Sequence, residues 1–256
     1  MVVTIIGSGN VASVLGKVLL EKGNKVNQVY SPQYGHALQL ATELKAEAIA
    51  DLSLVNEGAD LYIIAITDNA IFEITEHLFL QNKLVIHTAG SISKDVLKKV
   101  STNYGVLWPM KMIRKSMNSL SSTTLVVDGS SESITQQLEQ FALELTSTVS
   151  RANDTERIKM HMVAALTANF TNYLYHLASD YCRSENIDFT IFYPIIEETA
   201  IQIQGNDPGT LQAGPAYRGD RQTIEKHLIL LAEHPETQKL YRDISDNILS
   251  RNSDRR

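Results

Sequence analysis

The chain has 256 residues, of which 43% are hydrophobic and 20% are charged, a balance typical of folded domains with a buried core. Its net charge of -6 argues against a general affinity for nucleic acid, whose phosphates require a basic face. No apolar run reaches about 20 residues, so the sequence predicts no membrane span. The single cysteine, Cys182, excludes a disulfide within one chain and a cysteine-based zinc site.

The first half of the chain alternates between strand-like and helix-like segments. A β-branched run at residues 2–6 predicts a buried strand, and residues 11–23 repeat apolar side chains at helical spacing. Further strands are predicted at 25–31, 59–67, 82–90, 104–111 and 123–129, with helices at 35–46 and 133–145. This alternation predicts an α/β fold of Rossmann type, with a mostly parallel sheet between layers of helices.

The β pattern ends near residue 151, and the rest of the sequence is helical. Residues 154–186, 190–204 and 221–252 carry helical patterns, and a polar loop separates the last two. We therefore predict a dinucleotide-binding domain at 1–150 and an all-helical domain, for substrate binding and dimerisation, at 151–256. Because the first strand begins at Val2, with no basic and apolar leader before it, we expect a cytoplasmic protein.

A glycine loop joins the first strand to the first helix and carries the clearest functional signal. Its first glycine permits a tight turn, its second lets the backbone approach a pyrophosphate, and a small third residue allows helix–strand packing. The unpaired N–H groups at a helix start favour an anion. The strand–loop–helix context predicts dinucleotide binding by Gly7, Ser8, Gly9, Asn10, Val11 and Ala12.

The end of the second strand bears on the choice between NAD and NADP. A carboxylate there binds the ribose diol of NAD, but this chain has Ser31 and Pro32 instead. The missing acid favours NADP, with Ser31 donating to the 2′-phosphate, and NAD stays open. An arginine normally neutralises that phosphate, and only His36 or Lys17 could replace it here.

Polar residues follow two later strands, where ligands of parallel sheets bind. Thr67 and Asp68 follow one strand and are predicted to contact the cofactor, although Asp68 could equally cap the next helix. His87 ends the other strand and is a candidate catalytic group facing the nicotinamide. The alternative is a histidine hydrogen-bonded to a neighbouring carbonyl.

The long helical stretch carries a polar stripe. At about 100° per residue, His161, Ala165, Asn169, Asn172 and His176 fall on one side of the helix. Buried amide and imidazole groups require partners, which a substrate, loops of the same chain or a second subunit could supply. We predict catalytic roles for His161 and Asn169 and a substrate contact for Asn172.

The loop at residues 213–220 combines two glycines, a proline and opposite charges. Arg218 could bind a substrate carboxylate in a bidentate manner, and Asp220 is a second candidate substrate-binding residue. In the structural alternative, Asp220 caps the helix that follows and pairs with Arg218.

Together these segments resemble a bacterial family that joins a Rossmann-like domain to a helical C-terminal domain of unknown function. The resemblance rests on the glycine loop, "IAITDNAI", "VIHTAGS", "YGVLWPMK", "MHMVAALTANFTNYL" and "GPAYRGD". The family is similar in architecture to pyrroline-5-carboxylate reductase, deazaflavin-dependent NADP oxidoreductases and β-hydroxyacid dehydrogenases. The resemblance implies NAD(P) binding, hydride transfer to or from a small molecule, and a homodimer built on the helical domain.

Three positions depart from these relatives. Trp108 stands where many members of the family have histidine, Pro32 where arginine is usual, and Ala165 where β-hydroxyacid dehydrogenases have their catalytic lysine. We therefore keep two hypotheses. The first is an NAD(P)-dependent oxidoreductase acting on a small, carboxylate-bearing metabolite, and the second is a non-catalytic dinucleotide-binding or sensor protein on the same fold.

Overall fold

The computed structural model describes residues 1–253 and divides into two compact units, Met1–Asn169 and Phe170–Arg256. In the first unit an eight-stranded sheet is built from β1 to β8. The strands are Val2–Ile6, Lys25–Tyr30, Glu47–Ile49, Leu61–Ile64, Leu84–His87, Asn103–Pro109, Leu125–Gly129 and Val149–Arg151. The helices of this unit are α1 (Asn10–Glu21), α2 (Tyr34–Leu44), α3 (Asp68–Thr75), α4 (Glu132–Leu145) and α5 (Asp154–Ala164).

The sheet has the strand order β3-β2-β1-β4-β5-β6-β7-β8, and every neighbouring pair is parallel except β6 and β7. The predicted Rossmann-type sheet is therefore confirmed. The order reverses between β1 and β4, and ligands of such sheets bind in the crevice beyond the carboxyl ends of the strands at that point. The short strand β3 was not predicted, because three residues are too few to establish an alternating pattern.

Two large apolar clusters stabilise the first unit, one on each face of the sheet. The first includes Ile5, Leu15 and Leu138, and the second includes Ile6, Tyr62 and Ile71. Alternate residues of β1 thus point to opposite faces, as strand geometry requires. Because both faces are covered, the β strands are nearly continuous apolar runs.

The second unit is helical. It contains α6 (Thr171–Ser184), α7 (Tyr193–Gln202), α8 (Pro215–Arg218), α9 (Arg221–Leu230) and α10 (Pro235–Ser253). None of the helices in residues 1–253 combines the length and apolar character that crossing a membrane requires.

The two units divide at a different place from the predicted boundary near residue 151. The division falls after Asn169, because α5 packs on the sheet of the first unit. Met160 and Ala164 contact the cluster of Val106 and Trp108, and Arg157 is buried. A helix that follows the last strand can thus belong to the sheet domain, which a change from β to helical pattern does not reveal.

Candidate active site

The glycine loop leaves the start of α1 open. Gly7 has φ +124°, and a Cβ there would lie 2.2 Å from the carbonyl oxygen of Ala65, so only glycine fits. A Cβ on Gly9 would meet nothing within 4 Å. Gly9 is also the N-cap residue, and no side chain caps the helix. The first N–H groups of α1 therefore keep their capacity to bind an anion.

The loop is held in place by its neighbours on the sheet and by a distant segment. The N–H of Gly7 donates to the carbonyl oxygen of Tyr30 at 2.8 Å, and Asn10 Nδ2 donates to the carbonyl oxygen of Ile113 at 3.1 Å. The first bond ties the loop to the end of β2. The second attaches it to the segment that follows β6.

A cleft of about 1180 Å³ opens beside this loop. Its walls come from the ends of β1 to β6, from the start of α1, from α3 and from the segment after β6. Most of the predicted cofactor residues line it, namely Gly7, Ser8, Gly9, Asn10, Val11, Ser31 and Thr67. Its volume and its open glycine loop fit a dinucleotide, which needs space for two nucleotides and amides for the diphosphate.

Two predicted cofactor residues lie outside the lining. Ala12 is fully buried, which agrees with its expected role in packing α1 against the sheet. Asp68 is the first residue of α3, and its carboxylate accepts a hydrogen bond from the hydroxyl of Ser91. The N-cap position belongs to Thr67. Asp68 therefore links the start of α3 to the loop after β5, the cap suggested as its alternative role is not found, and its cofactor contact stays a prediction.

His87 is buried and satisfied, which corrects its prediction as a catalytic group facing the nicotinamide. Its side chain has no exposure, Nδ1 accepts from the N–H of Ala89 at 3.2 Å, and Nε2 lies 3.3 Å from the carbonyl oxygen of Ser93. Burial, followed by the nearby Arg157 charge, lowers the pKa of His87 to about 4. The imidazole is neutral at neutral pH, and the structure favours the alternative of a histidine bonded to its neighbours.

His161 lies against the wall of the cleft. Its ring centroid is 5.6 Å from that of Trp108, which lines the cleft. A Cβ on Gly90 would lie 2.6 Å from both His161 Cδ2 and Trp108 Cε2, so the close approach of these rings requires glycine. The sequence did not identify Gly90 or Trp108 as determinants of the position of His161.

The predicted polar stripe is interrupted. Residues 165–170 form a π-helical segment, in which hydrogen bonds span five residues, so the spacing of 100° does not hold there. His161 and Asn169 belong to the first unit, whereas Asn172 and His176 belong to the second. Asn169 and Asn172 are exposed, and His176 Nε2 lies 3.4 Å from Asp180 Oδ2.

In the loop at 213–220, the predicted cap is confirmed and the predicted ion pair is not found. Asp220 accepts from Thr223 Oγ1 at 2.7 Å and from the N–H of Thr223 at 3.0 Å, and these bonds lower its pKa. Both oxygens serve the start of α9, as the structural alternative predicted, and substrate binding by Asp220 stays a prediction. Arg218 is exposed and forms no ion pair with Asp220 within the described residues.

The sequence analysis missed a network of charged residues around the buried Arg157, one helical turn before His161. Arg157 is 1% exposed and pairs with Asp154 at 2.5 Å, and its guanidinium also donates to the carbonyl oxygen of Ile92. Lys94 Nζ lies 2.8 Å from Asp128 Oδ2, which is itself 3.8 Å from Arg157 Nη1. Arg157 precedes His161 by one helical turn, so the network anchors that part of α5 to the loop after β5. An arginine among polar residues gave no sign of this burial.

Comparisons with known proteins agree with the two-part sequence pattern. Residues 2–90 match the family described as NADP oxidoreductase coenzyme F420-dependent, and residues 123–248 match the domain of unknown function DUF2520. No curated protein matches the sequence.

Solved structures resemble the whole chain. A protein from Bacteroides fragilis, described as a candidate NADP oxidoreductase, shares 35% identity at a TM-score of 0.91, covering 97% of this chain and 98% of that one. A reductive aminase from Aspergillus terreus in complex with NADPH shares 17% identity at a TM-score of 0.72 (97% and 93% covered). The 1-pyrroline-5-carboxylate reductase from Streptococcus pyogenes shares 15% identity at a TM-score of 0.66 (98% of both chains).

Proposed function

Because the chain belongs to the family of NADP oxidoreductases that join a Rossmann domain to the C-terminal domain DUF2520, we propose that it transfers a hydride between a nicotinamide dinucleotide and a small, carboxylate-bearing metabolite. The open glycine loop at the strand-order reversal, beside a cleft of about 1180 Å³, is the observation that carries the proposal. The bound nicotinamide supplies the hydride, and the protein supplies binding, orientation and a proton.

The chain's own residues divide the cleft into three parts. The N–H groups at the start of α1 hold the diphosphate, with Gly9 leaving room for its approach. The residues after β2 and β3 receive the adenosine. Thr67, Thr88 and Trp108 line the rest of the cleft and would contact the nicotinamide.

His161 is the proposed proton donor to the reduced carbonyl or imine. It is half-buried beside Trp108, and the buried network around Arg157 fixes the helix that carries it. An imidazole can exchange protons near neutral pH, which suits general acid catalysis. The orienting role of Asn169 and the substrate contacts of Asn172 and Arg218 stay predictions.

Cofactor titration and turnover test the proposal in two steps. NADH or NADPH should bind the purified chain with a dissociation constant below the millimolar range, and failure of both rejects the proposal. A panel of small ketones and imines bearing carboxylates should then give turnover. His161→Asn should lower kcat by about 100-fold or more while cofactor affinity is kept. His176→Asn, on an exposed part of α6, is the matched control.

A sensor without chemistry is the second candidate, and two observations favour it. By the resemblance described above, Trp108 stands where many family members have histidine, and Ala165 stands where β-hydroxyacid dehydrogenases have their catalytic lysine. This candidate predicts normal cofactor binding with no turnover of any substrate in the panel. The His161→Asn variant would then behave like the parent chain.

A homodimer is part of the proposal and rests on the apolar surface of the second unit. Ile229 and Leu230 of α9 are 71% and 62% exposed, and Ile195 and Ile201 of α7 are similarly open. Large exposed apolar surfaces mark protein–protein interfaces. Light scattering at micromolar concentration should give twice the chain mass of 28.5 kDa, and a mass of 28.5 kDa would reject the dimer.

A further inference from the structure

The charges at one end of the cleft bear on the choice between NADH and NADPH. The two cofactors differ by a phosphate on the adenosine ribose, which is read beside the end of the second strand. In this chain β2 is followed by Ser31 and Pro32, which line the cleft and carry no charge. Discrimination therefore depends on the elements next to β2.

The strand β3 brings a carboxylate to this place. Tyr30 at the end of β2 is in register with Ile49 at the end of β3, and the N–H of Ser31 donates to the carbonyl oxygen of Ile49. Asp51 follows β3 and lines the cleft together with Ser31. The N–H and hydroxyl of Ser53 hold the pKa of Asp51 below its ordinary value, so it is ionised at neutral pH.

A second carboxylate faces the same region from α3. Glu73 lines the cleft, as does His77 just beyond the helix. The Tyr30 hydroxyl, at the end of β2, has its pKa raised by burial, then by the charge of Glu73 and then by that of Asp51. Both carboxylates thus lie close enough to the Tyr30 hydroxyl, beside the predicted ribose site, to raise its pKa.

No strong cation balances them within the described lining. Lys111 is the one lysine or arginine there, and its Nζ donates to Ser122 Oγ at 3.2 Å in the segment after β6. Lys17 and His36, the alternatives suggested by the sequence, do not line the cleft. Lys17 Nζ is engaged by Glu43 at 3.5 Å and by the carbonyl oxygen of Lys115.

We propose that this cleft selects NADH over NADPH, with Asp51 accepting from the ribose diol and Asp51 and Glu73 together repelling a 2′-phosphate. The inference rests on the proposed dinucleotide function and adds the identity of the cofactor. A phosphate monoester carries close to two negative charges at neutral pH, so it is repelled by each ionised carboxylate. Asp51 lies outside the segment after β2 that was used for the choice between the cofactors, because it comes from the end of β3.

Fluorescence titration of the full chain with NADH and with NADPH tests the inference. At low ionic strength the dissociation constant for NADH should be at least about tenfold lower than that for NADPH. Added salt should reduce this difference, because it screens the charges of the carboxylates. Equal affinity, or tighter binding of NADPH, overturns the inference and leaves the dinucleotide function standing. Failure of both cofactors to bind rejects that function, and the inference falls with it.

Variants identify the residues responsible. Asp51→Asn keeps a side chain that caps the 3₁₀ turn at Leu52–Leu54 and should bind NADPH about fivefold more tightly and NADH more weakly. Glu73→Gln should bind NADPH more tightly and leave the affinity for NADH unchanged. Glu57→Gln, an exposed carboxylate outside the cleft, is the matched control and should change neither. The double variant combines Asp51→Asn with Glu73→Gln. If its ratio of NADH affinity to NADPH affinity equals that of the parent chain, the two carboxylates do not discriminate between the cofactors and the inference is overturned.

Discussion

The two units bury their apolar residues to very different extents. In the first unit, large clusters on both faces of the sheet hold residues such as Ile5, Leu15 and Ile71 with no more than 1% exposure. The apolar cluster described in the second unit has only Ala216, Ile224 and Leu228 fully inside. The sheet domain therefore has a large core of its own, whereas the helical unit has a small apolar cluster and leaves many large apolar side chains exposed.

The difference also affects how individual residues contribute to stability. The first unit buries His87 and the Arg157 guanidinium, so the interactions of these two groups are made within one chain. Ile229 and Leu230 of the second unit are 71% and 62% exposed, so they contribute little to the stability of the isolated chain, and in the proposed dimer they would be covered. Changes in the first unit should thus alter stability at any protein concentration, and changes in the second should alter assembly.

The largest effect is expected at Arg157. Replacing it with methionine keeps much of the side-chain volume but removes the bonds of the guanidinium to Asp154 and to the carbonyl oxygen of Ile92. Asp154 is one-third exposed and keeps its bonds from Ser93 and Lys94, so the expected cost is about 3 kcal/mol. Urea unfolding should show this loss as a lower midpoint with an unchanged slope. The mass of the variant in solution, measured by light scattering, should equal that of the parent chain.

The exposed pair of Lys99 and Glu76 supplies the control for Arg157→Met. Lys99→Met removes an ion pair of 2.8 Å whose side chains are largely in solvent, so the free energy of unfolding should change little. Equal effects of the two variants would show that burial of Arg157 contributes nothing.

The next effect is a pH dependence caused by His87. Its pKa is about 4 in the folded chain and about 6.5 when unfolded, so the unfolded state binds more protons between these values. His87 therefore costs no stability above pH 6.5, and the chain loses stability as the pH falls from 6.5 to 4. The loss at pH 4 is on the order of 3 kcal/mol.

His87→Asn tests this pH dependence, because asparagine can accept the hydrogen bond from Ala89 and does not titrate. Its free energy of unfolding, measured from pH 7 to pH 4, should be flatter than that of the parent. The exposed His36→Asn is the control and should retain the parent's slope. If the free energy of unfolding of His87→Asn depends on pH as strongly as that of the parent chain, other groups cause the acid sensitivity.

The sequence predicted well what depends on local pattern. The long strands, the glycine loop and the helices of the sheet domain follow from apolar periodicity and from the backbone freedom of Gly7. The cap at Asp220 was also predicted as an alternative, because capping involves residues close in sequence.

The parts that were not predicted depend on contacts between distant segments. Arg157 is buried because Ile92, 65 residues earlier, offers its carbonyl oxygen, and no local pattern records that. Asp51 reaches the cleft because the short β3 lies beside β2. His87 was placed correctly at a strand end, yet its burial depends on neighbouring elements rather than on its own segment.

The smallest expected effect probes the surface of the second unit. Leu230→Lys places a charge on α9 at a side chain that is 62% exposed, so the isolated chain should keep its fold. In a dimer built on this surface the charge is buried, and loss of a central apolar contact costs about 2 kcal/mol, or about 30-fold in the dissociation constant. Sedimentation velocity over a concentration series should detect the shift towards the monomer.

Leu143→Lys is the matched control, because it makes the same change at an exposed position of α4 in the sheet domain. Helix propensity and exposure are similar at the two sites, so any difference between the variants reports on association alone. If both variants dissociate equally, or neither does, the apolar side chains of α9 do not form the interface. A dimer would then have to form through another exposed apolar surface of the second unit, such as Ile195 and Ile201 of α7.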